Sequence, residues 1–225
     1  MASYNSSTAE RQSGLTDIDP DSHFSSSVVN YYSANALNNL SITDPFLVEN
    51  FSTIFLNIRS AMANLDSFHD YLQTLSVNFS VIALAETWLN NDNEHLCTLP
   101  DYTYHGIIRE GRGGGGVALL LHNSLRFKPR PEMTFTDESI EIAFVEVVYI
   151  PNQIIRPLIG VIYRPPNTNV DAFINKLTPV LHKIRRENKL CYLLGDFNLN
   201  LLNVSTHHPT NQFLDLLYAF SFKPL

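Results

Sequence analysis

Four apolar segments, each the length of a buried strand, end in polar side chains. The segments are STIFLNI (52–58), SVIALAE (80–86), PLIGVIY (157–163) and KLCYLLGDF (189–197). The polar residues at or just after their ends are Asn57, Arg59, Glu86, Tyr163, Asp196 and Asn198. Because side chains alternate along an extended chain, Asp196 and Asn198 are expected on the same face. If these ends share one sheet edge, they form an oxygen-rich cluster suited to a hard cation such as Mg²⁺.

Helical periodicity separates these strands. Segments 62–75, 170–188 and 210–222 are predicted helices, and Pro179 is expected to interrupt the second. Segments 102–108, 116–122 and 139–150 are predicted as further strands. Many strands with helices inserted at intervals predict an α/β fold of stacked sheets covered by helices.

Residues 1–50 differ in composition from the rest. They are rich in Ser, Asn, Thr and Asp, and six carboxylates against one arginine give them a charge of −5 out of −7 for the whole chain. We expect a disordered polar leader over 1–50, with a brief helical turn near 35–42, and one domain over 51–225. This domain is close to neutral, so a polyanionic substrate would need a metal ion or a local basic patch.

Several classes of protein are excluded by simple patterns. No window approaches the roughly 18 uninterrupted apolar residues of a membrane span. The first residues lack the basic and then apolar segments of a secretory signal, so we expect an intracellular protein that is not secreted. Cys97 and Cys191 have no zinc-site spacing, and Cys191 lies in an apolar strand, which favours a reduced thiol.

The polar strand ends fall within five short blocks. These are NIRS (57–60), ALAETWL (83–89), GRGGGGVAL (111–119), GVIYRPPN (160–167) and LLGDFNLNLL (193–202). In this order they resemble the endonuclease/exonuclease/phosphatase superfamily, and more closely the apurinic-type endonuclease domain of non-LTR (LINE-type) retrotransposons. The resemblance covers residues from 51 onward. It implies a four-layer α/β sandwich, with two packed mixed β-sheets flanked by helices and Mg²⁺, or Mn²⁺ in its place, between the upper sheet edges.

The resemblance also implies roles for individual residues. Glu86 would be the principal metal ligand, and Asn57 would help to hold the metal or its waters. Asp196 would orient or deprotonate the attacking water, Asn198 would hold the scissile phosphate, and Tyr163 would hydrogen-bond a phosphate oxygen. The residues expected to bind substrate are Arg59, Arg112 and Arg164. Together they would carry out Mg²⁺-dependent phosphodiester hydrolysis that nicks DNA, in the nucleus, within a longer polyprotein that includes a reverse transcriptase.

Each site residue also has a simpler interpretation. Asp196 and Asn198 could close a strand–loop turn, since such side chains bond their own backbone. Glu86 could be a helix cap or surface acid, Asn57 a turn residue, and Tyr163 a core aromatic with a hydrated hydroxyl. Trp88 is expected in the core.

The glycine run at 113–116 is not a P-loop, because no Gly-Lys-Ser/Thr follows and the next segment is a strand. We interpret it as a flexible turn, or as a bulge that allows close backbone approach. Nearby basic residues either lie in a solvated loop or contact a DNA backbone. They are Arg109, Arg112, Arg126, Lys128 and Arg130.

The chain also departs from the superfamily pattern. Superfamily members continue into a final strand with Ser-Asp-His, and no such block follows Phe222 here. We therefore expect a domain incomplete at its C-terminus, with weak or no activity and marginal stability. Two alternatives remain open: an inactive remnant that binds nucleic acid or a partner, and a phosphatase of the same superfamily acting on small phosphoesters.

Overall fold

The computed structural model describes residues 33–43, 51–109, 111, 113–201 and 207–224. All of them lie in the compact unit Tyr32–Pro224. The helices are α1 Ala34–Thr43, α2 Ala61–Gln73, α3 Val170–Glu187 and α4 His208–Ala219. The strands are β1 Thr53–Asn57, β2 Val81–Ala85, β3 Tyr102–Ile107, β4 Val117–His122, β5 Arg126–Pro129, β6 Phe135–Thr136, β7 Glu141–Tyr149, β8 Leu158–Tyr163 and β9 Cys191–Asp196. Short 3-10 turns lie at Glu94–Leu96 and Pro131–Met133.

The strands form two mixed sheets. The first has the order β1-β2-β4-β3, and the second has the order β5-β7-β8-β9 with β6 paired to β7. In each sheet one edge pair is parallel, β1 with β2 and β8 with β9, while the other pairings are antiparallel. Because a parallel pair needs a crossover, α2 connects β1 to β2 and α3 connects β8 to β9.

Alternating side chains of the strands divide the apolar core into layers. Between the sheets, residues such as Ala83 and Leu119 of the first sheet pack against Val145 and Val161 of the second. On the outer face of the first sheet, α2 buries Leu65 and Phe68 against Ile82, Leu84 and Leu120. On the outer face of the second, α3 and α4 bury a larger cluster that includes Phe173, Leu177 and Phe213. Helix, sheet, sheet and helix make the predicted four-layer α/β sandwich, which is confirmed.

The register of the parallel pairs determines which residues meet at one edge. Asn57 is opposite Ala85, the residue before Glu86, and Tyr163 is opposite Asp196. Parallel strands bring their carboxyl ends to the same edge of a sheet, which is where open α/β folds place their ligands.

Helix α3 differs from its prediction. It runs without a break from Val170 to Glu187, with Pro179 inside it, so the expected interruption is wrong. Pro179 removes one backbone N–H and one intrahelical hydrogen bond. The face of Phe173, Leu177, Leu181 and Ile184 packs on the second sheet on both sides of the proline, and this burial holds the helix together.

Helix α1 contains the helical turn predicted near 35–42. It contacts the sandwich through Asn38, whose Nδ2 donates to the Thr74 carbonyl at 2.7 Å and whose Oδ1 accepts from the Ser76 N–H at 2.7 Å. The rest of the expected leader lies outside the described residues, and its disorder and the boundary at residue 51 stay predictions. None of the helices described is long and apolar enough to cross a membrane.

Both cysteines are free thiols, as the sequence favoured. Burial raises the pKa of Cys97 to about 11 and raises that of Cys191 as well. Neutral thiols are weak nucleophiles, so neither cysteine is suited to catalysis.

Candidate metal and phosphate site

Four polar side chains meet where the parallel strands end. Asn57 Nδ2 donates to Glu86 Oε1 at 2.8 Å and to Asp196 Oδ2 at 2.9 Å. The Tyr163 hydroxyl donates to the same Glu86 oxygen at 2.9 Å. Asn57 and Glu86 come from the first sheet, while Tyr163 and Asp196 come from the second, so the cluster spans both sheet edges. We refer to these four residues as the edge cluster.

Glu86 is held by an unusual backbone. Its φ of 54° lies in the left-handed region, which costs energy for a residue with a side chain and is often found at functional sites. Its carbonyl accepts the Ser60 N–H at 2.8 Å, and the Thr87 carbonyl accepts the Ala61 N–H at 2.8 Å. These bonds tie the loop after β2 to the start of α2, so the carboxylate is fixed in place beside Asn57.

Asp196 ends its strand in a turn that Arg164 braces. The Asn198 N–H donates to Asp196 Oδ1 at 2.9 Å, so the Asp196 carboxylate is fixed at both oxygens. Asn198 has φ 47°, and its Nδ2 donates to the Arg164 carbonyl at 2.7 Å. The simple alternation expected for residues 196 and 198 is therefore wrong, because the strand stops at Asp196. Asp196 therefore closes a strand–loop turn, as its simpler interpretation expects, and also faces the edge cluster, while its role with the attacking water stays a prediction.

Arg164 lies inside the fold. It is 4% exposed, and burial lowers the pKa of its guanidinium. Its guanidinium donates to the carbonyls of Phe197 at 2.6 Å, Asn198 at 2.6 Å and Thr168 at 2.9 Å. These contacts favour a role in positioning the turn over the expected contact with substrate.

A buried ion pair lies beneath the edge cluster. Arg109 pairs with Glu141, which is 1% exposed, and the Gly116 N–H donates to the other Glu141 oxygen at 2.5 Å. Burial raises the pKa of Glu141, while Arg109 and this N–H act in the opposite direction. The Arg109 guanidinium carbon lies 6.0 Å from the Tyr163 ring centre, within reach of a cation–π contact.

The ion pair also explains part of the glycine run. Gly116 has φ 85°, and a Cβ there would overlap the Thr87 hydroxyl, so only glycine allows the backbone to approach this closely. Of the two interpretations of the run, the geometry favours the bulge with close backbone approach.

Burial, followed by the hydrogen bond to Glu86, raises the pKa of Tyr163, which keeps this phenol a hydrogen-bond donor.

The donor set of the edge cluster fits a hard divalent cation. Asn57 Oδ1 is buried and has no hydrogen-bond partner, although buried amide oxygens are nearly always paired. Within the described ranges, no Lys or Arg forms a salt bridge with Glu86 or Asp196. The same ranges contain no group of three or more His, Cys, Asp or Glu arranged for a metal. The candidate ligands are thus the Glu86 carboxylate and the Asn57 amide oxygen, with the Asp196 carboxylate beside them, a set that leaves positions for water as Mg²⁺ prefers.

The predicted basic residues are distributed unevenly. Arg59 is exposed and lies two residues after Asn57 of the edge cluster, and Arg112 lies outside the described residues. The solvated-loop interpretation is wrong for Arg109 and for Arg130, because both are paired with carboxylates and their side chains are only 17% and 14% exposed.

Sequence reasoning missed Glu141 and misplaced Trp88. In the sequence, Glu141 looks like any polar residue at the start of an alternating strand. No local signal therefore points to its pairing with Arg109. Trp88, expected in the core, is 43% exposed.

The sequence pattern that defines the endonuclease/exonuclease/phosphatase family matches residues 54–224. The chain belongs to this family. The match contains the edge cluster and both sheets, so the four-layer architecture is that of the family. A comparison with curated protein sequences found no match.

Solved structures with the family fold resemble this one. The endonuclease domain of TRAS1, a telomere-specific non-LTR retrotransposon, has 12% identity and a TM-score of 0.50, over 78% of this chain and 74% of that domain. The AP endonuclease LMAP from Leishmania major has 16% identity and a TM-score of 0.58, over 80% and 69%. A family protein from Bacteroides thetaiotaomicron has 15% identity and a TM-score of 0.51, over 73% and 68%. At these identities the likeness establishes the fold.

Proposed function

We propose that the chain hydrolyses phosphodiester bonds with the help of Mg²⁺, or Mn²⁺ in its place, and nicks DNA. The observation that carries this proposal is the Asn57 side chain, whose amide bridges Glu86 and Asp196 while its own buried oxygen has no partner. Two carboxylates joined only by neutral donors favour a cation between them.

Glu86 and Asn57 would hold the metal, with Asp196 close enough to hold one of its waters. Bound there, the ion would polarise a phosphoryl oxygen and stabilise the leaving oxygen. Asp196, fixed at both oxygens, would orient the attacking water and accept its proton. The single O–H of the neutral Tyr163 phenol, which donates to Glu86 in this structure, would turn to a phosphate oxygen when substrate binds. The Asn198 amide has a second N–H beyond the one given to Arg164, and this N–H would hold the scissile phosphate.

DNA as the substrate is supported by the five sequence blocks and by the names of two similar structures, one an AP endonuclease and one a retrotransposon endonuclease domain. We further propose that residues 51–225 act as the nuclease domain of a LINE-like element, in a nuclear polyprotein with a reverse transcriptase.

The test is Mg²⁺-dependent nicking of supercoiled plasmid by the chain. Glu86→Gln keeps the size of the side chain and removes its charge, and we expect it to abolish nicking. Asp70→Asn, at an exposed carboxylate on α2, is the matched control and should nick at the wild-type rate. Equal nicking by wild type and Glu86→Gln would contradict the proposal. Hydrolysis of small phosphoesters with an intact plasmid would support the phosphatase alternative.

A second candidate is nucleic-acid binding without catalysis. In the part of the chain that the structure describes, no imidazole forms a hydrogen bond with the carboxylates of the edge cluster. A general acid or base typically contributes about 10²- to 10⁴-fold in rate, so its absence would leave binding as the main activity. DNA binding in chelator with no hydrolysis on adding Mg²⁺ would favour this candidate.

A further inference from the structure

Trp88 lies exposed at the rim of the edge cluster. It is the chain's only tryptophan and is 43% exposed, although tryptophan is usually highly buried. It follows Glu86 by two residues, which limits the distance between their Cα atoms to about 7.6 Å. Ile154 is the most exposed apolar side chain among the described residues, but it lies in the connection between β7 and β8, at the end of β7 away from Glu141. Its exposure therefore says nothing about the edge cluster, whereas that of Trp88 does.

The backbone around Trp88 holds the indole outward. Its neighbours Thr87 and Leu89 are buried at 0% and 4% exposure, and Trp88 itself has φ 54°. Its N–H donates to the Gly115 carbonyl at 2.8 Å. A Cβ on Gly114 would lie 3.6 Å from the indole nitrogen, so the ring rests beside the glycine run while part of it stays open to solvent. A left-handed non-glycine residue that exposes an aromatic ring costs stability, and such cost is often found at binding sites.

Arg59 lies on the loop bonded to the same segment. It is exposed with φ 47°, and its carbonyl accepts from Asn64 Nδ2 at 2.9 Å. The next residue, Ser60, donates its N–H to the Glu86 carbonyl, which joins the Arg59 loop to the Trp88 segment. Trp88 and Arg59 are thus exposed residues on two loops that are bonded to each other at Glu86. Nucleic acid supplies the matching ligand, because each nucleotide carries a planar base and a phosphate.

We propose that Trp88 and Arg59 form a nucleotide subsite in which an unpaired base stacks on the indole and the adjacent phosphate contacts the guanidinium. The inference rests on the proposed function, since it names the substrate of that same site. A stacked base has to leave a duplex, so the subsite selects single-stranded or locally unpaired DNA over an intact helix.

Because Trp88 is the only tryptophan, its fluorescence reports the subsite directly. In chelator, titration of the chain with short oligothymidylate should quench the emission. An oligomer of the same length without bases should bind without quenching, and a blunt duplex should quench far less. Unchanged emission at saturating oligothymidylate, or equal quenching by the blunt duplex, would overturn the inference.

Variants separate stacking from general destabilisation. Trp88→Ala should weaken oligothymidylate binding about 5- to 150-fold, the range for one base–aromatic stack, whereas Trp88→Phe should retain most of the affinity. Tyr71→Ala, at an aromatic residue 47% exposed on α2, is the matched control and should bind like wild type.

The failure of this inference is distinct from that of the proposed function. Wild-type oligonucleotide binding by Trp88→Ala, with Mg²⁺-dependent nicking intact, would overturn only the subsite. Quenching by oligothymidylate with no hydrolysis in Mg²⁺ would support the subsite and contradict the proposed hydrolysis.

Discussion

Two polar clusters of this molecule differ in the groups that their carboxylates contact. In the first, which we name the ion cluster, three carboxylates share two cations: Glu132, Glu146 and Glu187 with Arg130 and Lys189. Lys189 Nζ lies 2.8 Å from Glu146 and 3.1 Å from Glu187, and Arg130 Nη1 lies 3.2 Å from Glu146. In the second, the edge cluster, Glu86 and Asp196 share one neutral amide.

The difference shows in which cluster the protein itself balances the carboxylate charges. The hydrogen bond from Arg130 lowers the pKa of Glu187 to about 2, so its charge is satisfied within the protein. Glu86 and Asp196 have no such partner among the described residues, and the Asn57 oxygen beside them is unpaired. The charges of the ion cluster are therefore balanced by its own residues, whereas Glu86 and Asp196 have no ion pair of this kind in the described ranges, which is why we propose a metal ion there.

After that of Glu86→Gln, the largest effect on activity is expected at Asp196. Asp196→Asn keeps the hydrogen-bonded shape of the turn but removes the group that accepts the water's proton. We expect the rate of DNA nicking to fall by about 10²- to 10⁴-fold. Initial rates on supercoiled plasmid measure this, and a loss below tenfold would remove Asp196 from the proposed role.

The largest effect on stability is expected at Glu141. Glu141→Gln breaks the buried pair with Arg109 and leaves a guanidinium that is 17% exposed without its counter-charge. Breaking a buried pair typically costs about 3–5 kcal/mol, so we expect the free energy of unfolding to fall by about 3 kcal/mol. Denaturant unfolding measures this, and a change below about 1 kcal/mol, the value of an exposed ion pair, would show that water screens this pair as it does a surface one.

Tyr163→Phe tests one hydrogen bond of the edge cluster. The ring stays in the core, and only the hydroxyl that donates to Glu86 is lost. The same hydroxyl is the proposed donor to the phosphate, and hydrogen bonds to charged groups contribute about 1.5–3 kcal/mol, so kcat/KM should fall by about 10- to 150-fold. An unchanged kcat/KM together with a lower unfolding temperature would indicate that the hydroxyl serves only the fold.

The smallest effect is expected in the ion cluster. Glu187→Gln should lower the free energy of unfolding by about 0.5–1 kcal/mol, since partly exposed pairs contribute little, and should leave nicking unchanged. The folded-state pKa of Glu187 is depressed to about 2, so its contribution is present above the ordinary carboxyl pKa and is lost as the pH falls toward 2. Unfolding measured from neutral pH down to about pH 3, which spans the ordinary carboxyl pKa, should show the difference in stability between variant and wild type shrinking as the pH falls. A constant difference would contradict this linkage.

The sequence predicted the framework of the site better than its details. Asn57, Glu86, Tyr163 and Asp196 end apolar strands, and the parallel pairing that brings such ends together follows from the helices between the strands. The Arg109–Glu141 pair joins the two sheets, and no local pattern encodes a contact between sheets. Trp88 was predicted in the core, where tryptophan is usually found. Its exposure depends on a left-handed backbone conformation that the sequence does not reveal.

The central claim is that the edge cluster binds a divalent cation, and calorimetric titration of the whole chain with Mg²⁺ tests it most directly. We expect one site in the wild type and in Asp70→Asn. In Glu86→Gln the affinity should fall by at least about 100-fold, because loss of a ligand should exceed the 10- to 100-fold effect of losing a residue that only supports one. Mg²⁺ binding of equal affinity in wild type and Glu86→Gln, or no Mg²⁺ binding by the wild type, would contradict the account.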